Sequence, residues 1–368
     1  MEGSFDVIIV GAGLTGCLHA YFLSRLGYKV AVYEQSSSIG GLCKTENMFG
    51  INVHCHGPHI FHTNSLLEWM FVNKICEFDQ YFVDVKADRD GVQYDFPINL
   101  NTIRQVYGED AEKVANKIFD GMNNPDKTNL ETFAKSVIGD KLYEMFVKYY
   151  TEKQWGRDCS ELPYTILKRI PVYLDDSRNY HRNIYSGVPH KGWTYFMECL
   201  LRQCDVFLEQ KLTLDNLTQS RALVIYTGRI DELFDYDMGE LEFRGIRHDT
   251  SILNRKEFQG RGVVNYTGPE PFTRIIEHKF LGYNGHDLNK TVVSCEYPDQ
   301  NGIKCYPIET DQNNALYEKY RARLRDLSYR IRLCGRLAEY RYFNMNDIVG
   351  TVLRQYGVAM TKTLDVSN

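Results

Sequence analysis

Apolar positions along the chain follow two periods, and the change from one to the other marks out its segments. Val7 to Val10 is a continuous apolar run, followed by a helix-like stretch and a second run, Val30-Ala31-Val32-Tyr33, so residues 5–35 read strand, helix, strand. Gly50 to His54 reads as another strand and Leu66 to Ile75 as a helix. From Asn101 to Tyr150 the period is helical: Ile103 and Val106, then Ala111 to Phe119, Leu130 to Ile138 and Asp140 to Tyr150, with Asp126 or Thr128 as cap and Gly139 as stop of the third. Ile166 to Val188 has no clear period and reads as a long loop with some strand. Thr194 to Cys204 is helical, Val206 to Gln210 strand-like, and Ala222 to Gly228 a buried strand ending in glycine. Residues 241–308 alternate, as in Gly262-Val263-Val264-Asn265-Tyr266, Arg274 to Lys279 and Thr291 to Ser294, which predicts an antiparallel sheet. A helix over Asn313 to Leu327, a strand over Ile331 to Gly335 and a helix over Asn346 to Gln355 complete the chain.

The first strand runs into Gly11, Gly13 and Gly16, and Glu34 closes the second, 18 residues beyond Gly16. This order has a physical purpose. The first glycine permits a tight turn, the second lets a pyrophosphate approach the backbone, and the third lets helix pack on strand. The helix N-terminus attracts the phosphates and the acid accepts hydrogen bonds from a ribose. A dinucleotide site follows. Strand-plus-glycine recurs at Gly228 and Gly335, so the chain returns to complete the nucleotide domain, an arrangement commoner with FAD than in simple NAD dehydrogenases. The closing helix would aim its N-terminus at an electron-rich flavin ring. The predicted fold is α/β: an FAD-binding Rossmann-type domain (1–80 with 198–240 and 315–368), an inserted helical domain (81–155) and an inserted antiparallel β-sheet domain (156–197 with 241–314).

Composition narrows the function. The 368 residues suit two or three domains, and a net charge of −5 without a basic tail argues against general nucleic-acid binding. The apolar runs are too short to span a bilayer, so no membrane insertion is expected. The chain enters a strand at once, so no signal peptide is expected. Ten scattered cysteines without a C-x-x-C read as reduced thiols in a cytoplasmic protein. Twenty-six tyrosines offer stacking area and hydroxyls for a polar planar ligand, although half-buried sheet tyrosines account for most.

Candidate chemistry is concentrated in a few stretches. His54, His56, His59 and His62 lie within nine residues; turn, active-site and metal roles are all open, though no ligand-like partner spacing accompanies them, and no metal is expected. Thr151-Glu152-Lys153-Gln154-Trp155-Gly156-Arg157, beside Tyr149 and Tyr150, reads equally as ligand contacts or as a helix end. Arg169, Arg274 and Arg336 sit in tyrosine-rich segments, and the guanidinium fork matches phosphate oxygens. No triad, P-loop or zinc-protease motif occurs, so the cofactor itself would carry the chemistry.

Taken together, these motifs resemble the bacterial UDP-galactopyranose mutases. The resemblance covers nearly the whole chain and runs in order. It comprises the three glycines with Glu34, Ile39-Gly40-Gly41, Gly57-Pro58-His59-Ile60-Phe61-His62-Thr63, Tyr150 to Gly156 and Lys168-Arg169-Ile170-Pro171. It continues through Tyr180, Tyr226-Thr227-Gly228, Thr273 to Lys279, Tyr306-Pro307 and Gly335 to Tyr342. It implies a non-covalent FAD, active when reduced, and no net redox change: N5 of the reduced flavin attacks sugar C1, and the ring recloses from pyranose to furanose. Arg169 and Arg274 would hold the diphosphate, with Arg169 on a loop that closes over substrate. Tyr150, Tyr180, Tyr306 and Tyr342 would bond its oxygens, and Phe146 and Tyr150 would flank the base. Trp155 would line the sugar site, with Thr151 and Asn344 beside the substrate. His59 would sit near the flavin, and Gly41, Gly228, Gly335, Arg336 and Met345 would complete the cofactor site. A homodimer serving cell-surface polysaccharide synthesis is also implied.

Three positions depart from the family pattern. Asn344 follows Tyr342-Phe343 where a carboxylate is usual, Val147 replaces a second phenylalanine, and Leu42 replaces an asparagine. UDP-galactopyranose is the simplest substrate. The same ring contraction on UDP-N-acetylgalactosamine, dTDP-fucose or another 6-deoxy sugar nucleotide is the alternative. An FAD-dependent oxidoreductase is the rival of another class, and the arginine–tyrosine array argues against it.

Overall fold

The computed structural model describes residues 5–169, 171–282 and 288–357; the side chains of Lys168 and Arg169 also lie outside the described set. The two opening runs form neighbouring strands of a five-stranded sheet in the order Asp205–Phe207, Val30–Tyr33, Val7–Val10, Leu223–Tyr226, Ile331–Leu333. Every pairing is parallel. Both faces of such a sheet are covered, which is why the central strands are apolar without alternation. On one face pack the helices Leu14–Arg25, Leu66–Ile75, Gly192–Leu201 and Met345–Gln355. Phe22 is their hub, stacked on Phe71 at 5.5 Å and on Tyr356 at 5.3 Å. On the other face, Leu217, Leu233, Phe234 and Tyr320 close a second core under the helix Asp311–Leu327.

A seven-stranded sheet stands in the order Ile303–Pro307, Phe243–Leu253, Thr291–Pro298, Arg274–Glu277, Val263–Tyr266, Val85–Arg89, Val92–Phe96. It differs from the expected antiparallel sheet in two ways. Residues 85–96, expected in the helical domain, form two of its strands, and the pairing of Val263–Tyr266 with Val85–Arg89 is parallel. The helices Leu100–Tyr107, Ala111–Asn123 and Leu130–Leu142 share a core with it through Val85, Phe96, Val263 and Ile276.

Helix ends follow local chemistry. Asn129, rather than Asp126 or Thr128, caps the third helix, accepting from the Thr132 amide at 2.9 Å, and Asn99 caps the first in the same way at 3.1 Å. Gly139, at φ 78°, breaks the run inside Leu130–Leu142. The backbone then takes a π turn over Tyr143–Val147 before the helix Lys148–Trp155, which Gly156 ends in the left-handed region. Between the two large sheets lie a hairpin, Thr45–Met48 with Ile51–His54, and a three-stranded sheet of Phe61–Thr63, Tyr185–Pro189 and Phe78–Gln80. Among the described residues, no helix is long and apolar enough to cross a membrane.

Candidate active site

The glycine loop opens onto a cavity of about 620 Å³. Gly11, Gly13, Glu34, Gly41, Gly228, Gly335, Arg336 and Met345 all line it. Gly13 stands at the N-cap of the helix Leu14–Arg25, with no side-chain cap and no acid in the first turn, so that helix end faces the cavity with its own backbone donors. The walls are glycine because two backbones meet there: a Cβ on Gly41 would lie 3.0 Å from the Gly13 Cα. Gly16 stands outside the cavity and does the packing. Its Cβ would fall 2.0 Å from the Gly11 carbonyl oxygen. Glu34 accepts the Ala12 amide on one oxygen and the Ser36 amide on the other, each at 2.9 Å, which ties the acid to the loop and leaves lone pairs for a ribose. Bare helix donors, a fixed acid and a glycine-walled slot suit the pyrophosphate and ribose of FAD.

The histidines divide. His54 is buried, and its Nδ1 accepts the His59 amide at 3.1 Å, a structural role. His56 and His59 line the cavity. Burial, then Arg336, pushes His59 down to about 4, so it is neutral near pH 7. The Gly57 carbonyl accepts from its Nδ1 at 2.8 Å, which leaves Nε2 as an acceptor. His62 stacks on His181 at 3.8 Å. Among the described residues, no group of three ligand-type side chains is placed to hold a metal.

A second constellation centres on Arg274. Its Nη2 donates to the Tyr150 hydroxyl at 3.0 Å, and its Nε stands 2.8 Å from Glu296 Oε1 without the alignment of a hydrogen bond. Thr273 Oγ1 donates to the same oxygen at 2.8 Å, and His248 Nε2 lies 3.3 Å from Oε2. Burial alone would raise Glu296, but Arg274 first and His248 next hold it down at about 2. Arg274 rises despite its burial, because Glu296 and the tyrosines favour its charge. The pair is therefore ionised.

The predicted tyrosines gather around it. Burial raises Tyr180, with Tyr150 and Tyr342 adding to the rise and Arg274 opposing it. Tyr306 and Tyr342 stack at 6.2 Å, and Trp155 tilts against Tyr306 at 6.3 Å. Arg336 lies over the Tyr342 ring at 4.6 Å and donates to the Phe343 carbonyl at 2.6 Å. No carboxylate pairs with Arg336 among the described residues. Because Arg336 also lines the cofactor cavity, the tyrosine cluster and the cavity adjoin at that cation.

Phe146, expected to flank a base, is 1% exposed, edge-on to Tyr94 in the helical core. Val147 and Thr151 are buried on the same stretch. Asn344, expected beside the substrate, lines the cofactor cavity at the N-cap of the closing helix, where its backbone N–H donates to Asp347 Oδ2 at 2.8 Å. The side chain of Arg169, the diphosphate ligand expected on a loop that closes over substrate, lies outside the described residues. Sequence reading missed Glu296 and His248. The available signal was a charged residue among alternating positions of a strand otherwise facing inward. It also missed Cys43, which lines the cavity with its Sγ 3.7 Å from Met345 Sδ.

The fold and the site together define an FAD-dependent enzyme of Rossmann type whose cofactor cavity abuts a cationic, tyrosine-walled cleft. Residues 145–342 match the family model described as UDP-galactopyranose mutase, and residues 9–74 the one described as NAD(P)-binding Rossmann-like domain. The chain belongs to the UDP-galactopyranose mutase family. A dTDP-fucopyranose mutase of Escherichia coli is 33% identical, covering 92% of this chain and 94% of the relative. A probable UDP-galactopyranose mutase of Klebsiella pneumoniae is also 33% identical, covering 95% and 93%. Among solved structures, a reduced UDP-galactopyranose mutase superposes with a TM-score of 0.76 at 14% identity, covering 99% of this chain and 98% of that one.

Proposed function

We propose that this enzyme interconverts the pyranose and furanose rings of a nucleotide sugar, with UDP-galactopyranose as the simplest substrate. The observation that carries the reading is the ionised Arg274–Glu296 pair, with Tyr150 on Arg274, set beside a second cation that borders the cofactor cavity. A sugar nucleotide brings two negative phosphates. Arg274 and Arg336 would hold them next to the cofactor, and a cation fixed before the reaction stabilises the departing diphosphate without reorganising. Tyr150, Tyr180, Tyr306 and Tyr342 would donate to its oxygens and exclude water around the sugar. When bound, reduced FAD would supply the nucleophile for the anomeric carbon, in keeping with a sequence that carries no triad, P-loop or zinc-protease motif. His59, neutral, would accept a hydrogen bond at Nε2 from an N–H of the cofactor without adding charge beside it. A role in cell-surface polysaccharide synthesis as a cytoplasmic homodimer belongs to the same proposal; ten unpaired cysteines support the compartment.

A second substrate has specific support. The Escherichia coli relative that acts on dTDP-fucopyranose is as similar as the Klebsiella relative, and Asn344 departs from the acidic pattern. The test incubates the dithionite-reduced enzyme with UDP-galactopyranose, UDP-N-acetylgalactosamine and dTDP-fucopyranose and resolves ring isomers by chromatography. Furanose from one donor, and only after reduction, is expected. Equal furanose formation with oxidised enzyme, or none from any donor, overturns the reading.

A further inference from the structure

His248, Glu296 and Arg274 form one row across three strands. Glu296 lies in the central strand, Thr291–Pro298, directly opposite His248 on one neighbour and Arg274 on the other. Directly paired residues on adjacent antiparallel strands point to the same face, with Cβ atoms about 5 Å apart. The register itself therefore places a carboxylate between an imidazole and a guanidinium. Glu296 is 2% exposed, so its charge depends on these partners rather than on water.

We propose that His248 is a positioning residue for the nucleotide-sugar site: through Glu296 it fixes the guanidinium of Arg274 for the substrate diphosphate. The proposal rests on the functional reading above. His248 reaches the site through Glu296, its Nε2 3.3 Å from Oε2. A carboxylate only accepts, so His248 Nε2 carries the proton and holds Oε2, while Thr273 and Arg274 take Oε1. With one oxygen pinned, the carboxylate plane cannot rotate, and Arg274 keeps its direction toward Tyr150.

The row also reaches the cofactor side. Gly57, at φ 99°, packs so closely over the row that a Cβ there would lie 3.3 Å from Glu296 Oε2 and 3.9 Å from His248 Nε2. The Gly57 carbonyl is the acceptor that orients His59 at the cavity. The buried carboxylate thus partners the substrate arginine and lies beneath the turn that carries the cofactor histidine.

The test compares His248→Phe, which keeps a ring but loses the donor, with His248→Gln, which keeps a donor. The dissociation constants of UDP and dTDP are measured on the oxidised holoenzyme, independently of turnover. His248→Phe is expected to weaken diphosphate binding about tenfold, the worth of one charge-assisted hydrogen bond, with flavin content unchanged and KM moving more than kcat. His248→Gln should recover most of the affinity. Glu296 is also faced by Arg274, Tyr150, Tyr306 and Cys305, with Cys295 adjacent on its strand. The tyrosines and thiols stay protonated at acid pH, while His56 and His59, each held down at about 4 by burial first and by His248 among the lesser causes, take up protons there; the acid limb of kcat/KM should therefore move upward in His248→Phe as Glu296 and these two imidazoles become easier to protonate. Wild-type affinity and an unmoved acid limb in His248→Phe overturn the proposal, as does a His248→Gln as weak as His248→Phe. If His248→Phe fails to fold, His248→Asn, too short to reach Glu296, carries the same test, and wild-type affinity in it is equally fatal. Failure of the wild-type holoenzyme to bind either diphosphate would instead overturn the functional reading, and this inference with it.

Discussion

A methyl group on Gly16 would have to occupy space 2.0 Å from the Gly11 carbonyl oxygen and 3.1 Å from Ile9. Backbone cannot yield as a flexible side chain can, so the helix must lift from the strand and carry the helix N-terminus away from the cavity. Gly16→Ala is therefore expected to be purified with less than a tenth of the wild-type flavin, read from the 450 nm absorbance, and with a lowered Tm. A normal flavin load would refute the packing argument. Glu296 allows a prediction with a definite sign. An unfolded glutamate titrates near about 4.3, and here Arg274 and His248 hold the carboxyl at about 2. A depressed carboxyl stabilises the fold above the unfolded value and loses that stabilisation as pH falls through the folded one. Stability of the wild type should drop between about pH 4.3 and pH 2, and Glu296→Gln should lose this component of the pH dependence. Urea midpoints at several pH values measure both. The glycines and Glu34 were legible in the sequence because their chemistry is local and their spacing fixed. Glu296 was not, since its partners come from strand register, 48 residues away for His248 and 23 away for Thr273.

At the scale of elements, the helix Lys148–Trp155 carries two aromatic residues of the cleft, Tyr150 and Trp155, and its end is latched from two sides. Arg244 donates to the Gln154 carbonyl at 2.8 Å and to the Lys153 carbonyl at 3.0 Å, satisfying groups that a helix C-terminus leaves open. Lys153 reaches the carbonyls of Gly268 and Glu270, both at 3.1 Å, in the loop before the strand that bears Arg274. Burial pushes this lysine down to about 8, with Glu270 opposing. Arg244→Ala should cost about 1–3 kcal/mol and raise KM for the nucleotide sugar several-fold at unchanged flavin content. Denaturant titration and initial rates check both, and an unaltered KM would show that the latch does not position the cleft. Arg244 did not stand out in sequence, because an arginine on an alternating strand reads as solvent-facing, whereas Lys153 lay in the stretch 151–157 that read equally as ligand contacts or as a helix end. The parallel strands did stand out, since burial on both faces leaves unbroken apolar runs. Residues 85–96 misled for the opposite reason: Val85-Lys86-Ala87-Asp88-Arg89 is short and half polar, it precedes a helical block, and its parallel partner begins at Val263.

At the scale of the molecule, the cofactor cavity is assembled from distant parts of the chain. Its walls come from the opening strand and glycine loop, the histidine turn at 56–59, the segment 210–232, Ile303 and Lys304 of the seven-stranded sheet, and the closing stretch 335–348. The sequence showed the chain returning to the nucleotide domain, but not that the second sheet reaches the same cavity, because Ile303 and Lys304 carry no cofactor-type motif. A ligand filling that space touches segments from both large sheets, and a ligand that binds only the folded state stabilises it by mass action. At one hundred times its dissociation constant, FAD should add about 2.7 kcal/mol. ADP offers the glycine loop and Glu34 the same groups but lacks the part that would reach the histidine turn and the closing helix. Hydrogen exchange on the stripped protein then separates the two contributions: ADP should protect amides near Gly13 and Ala12 alone, whereas FAD should also protect His59 and the first turn of Met345–Gln355. Equal protection of all these segments by ADP would show that the flavin end of the ligand does not reach the histidine turn and the closing helix.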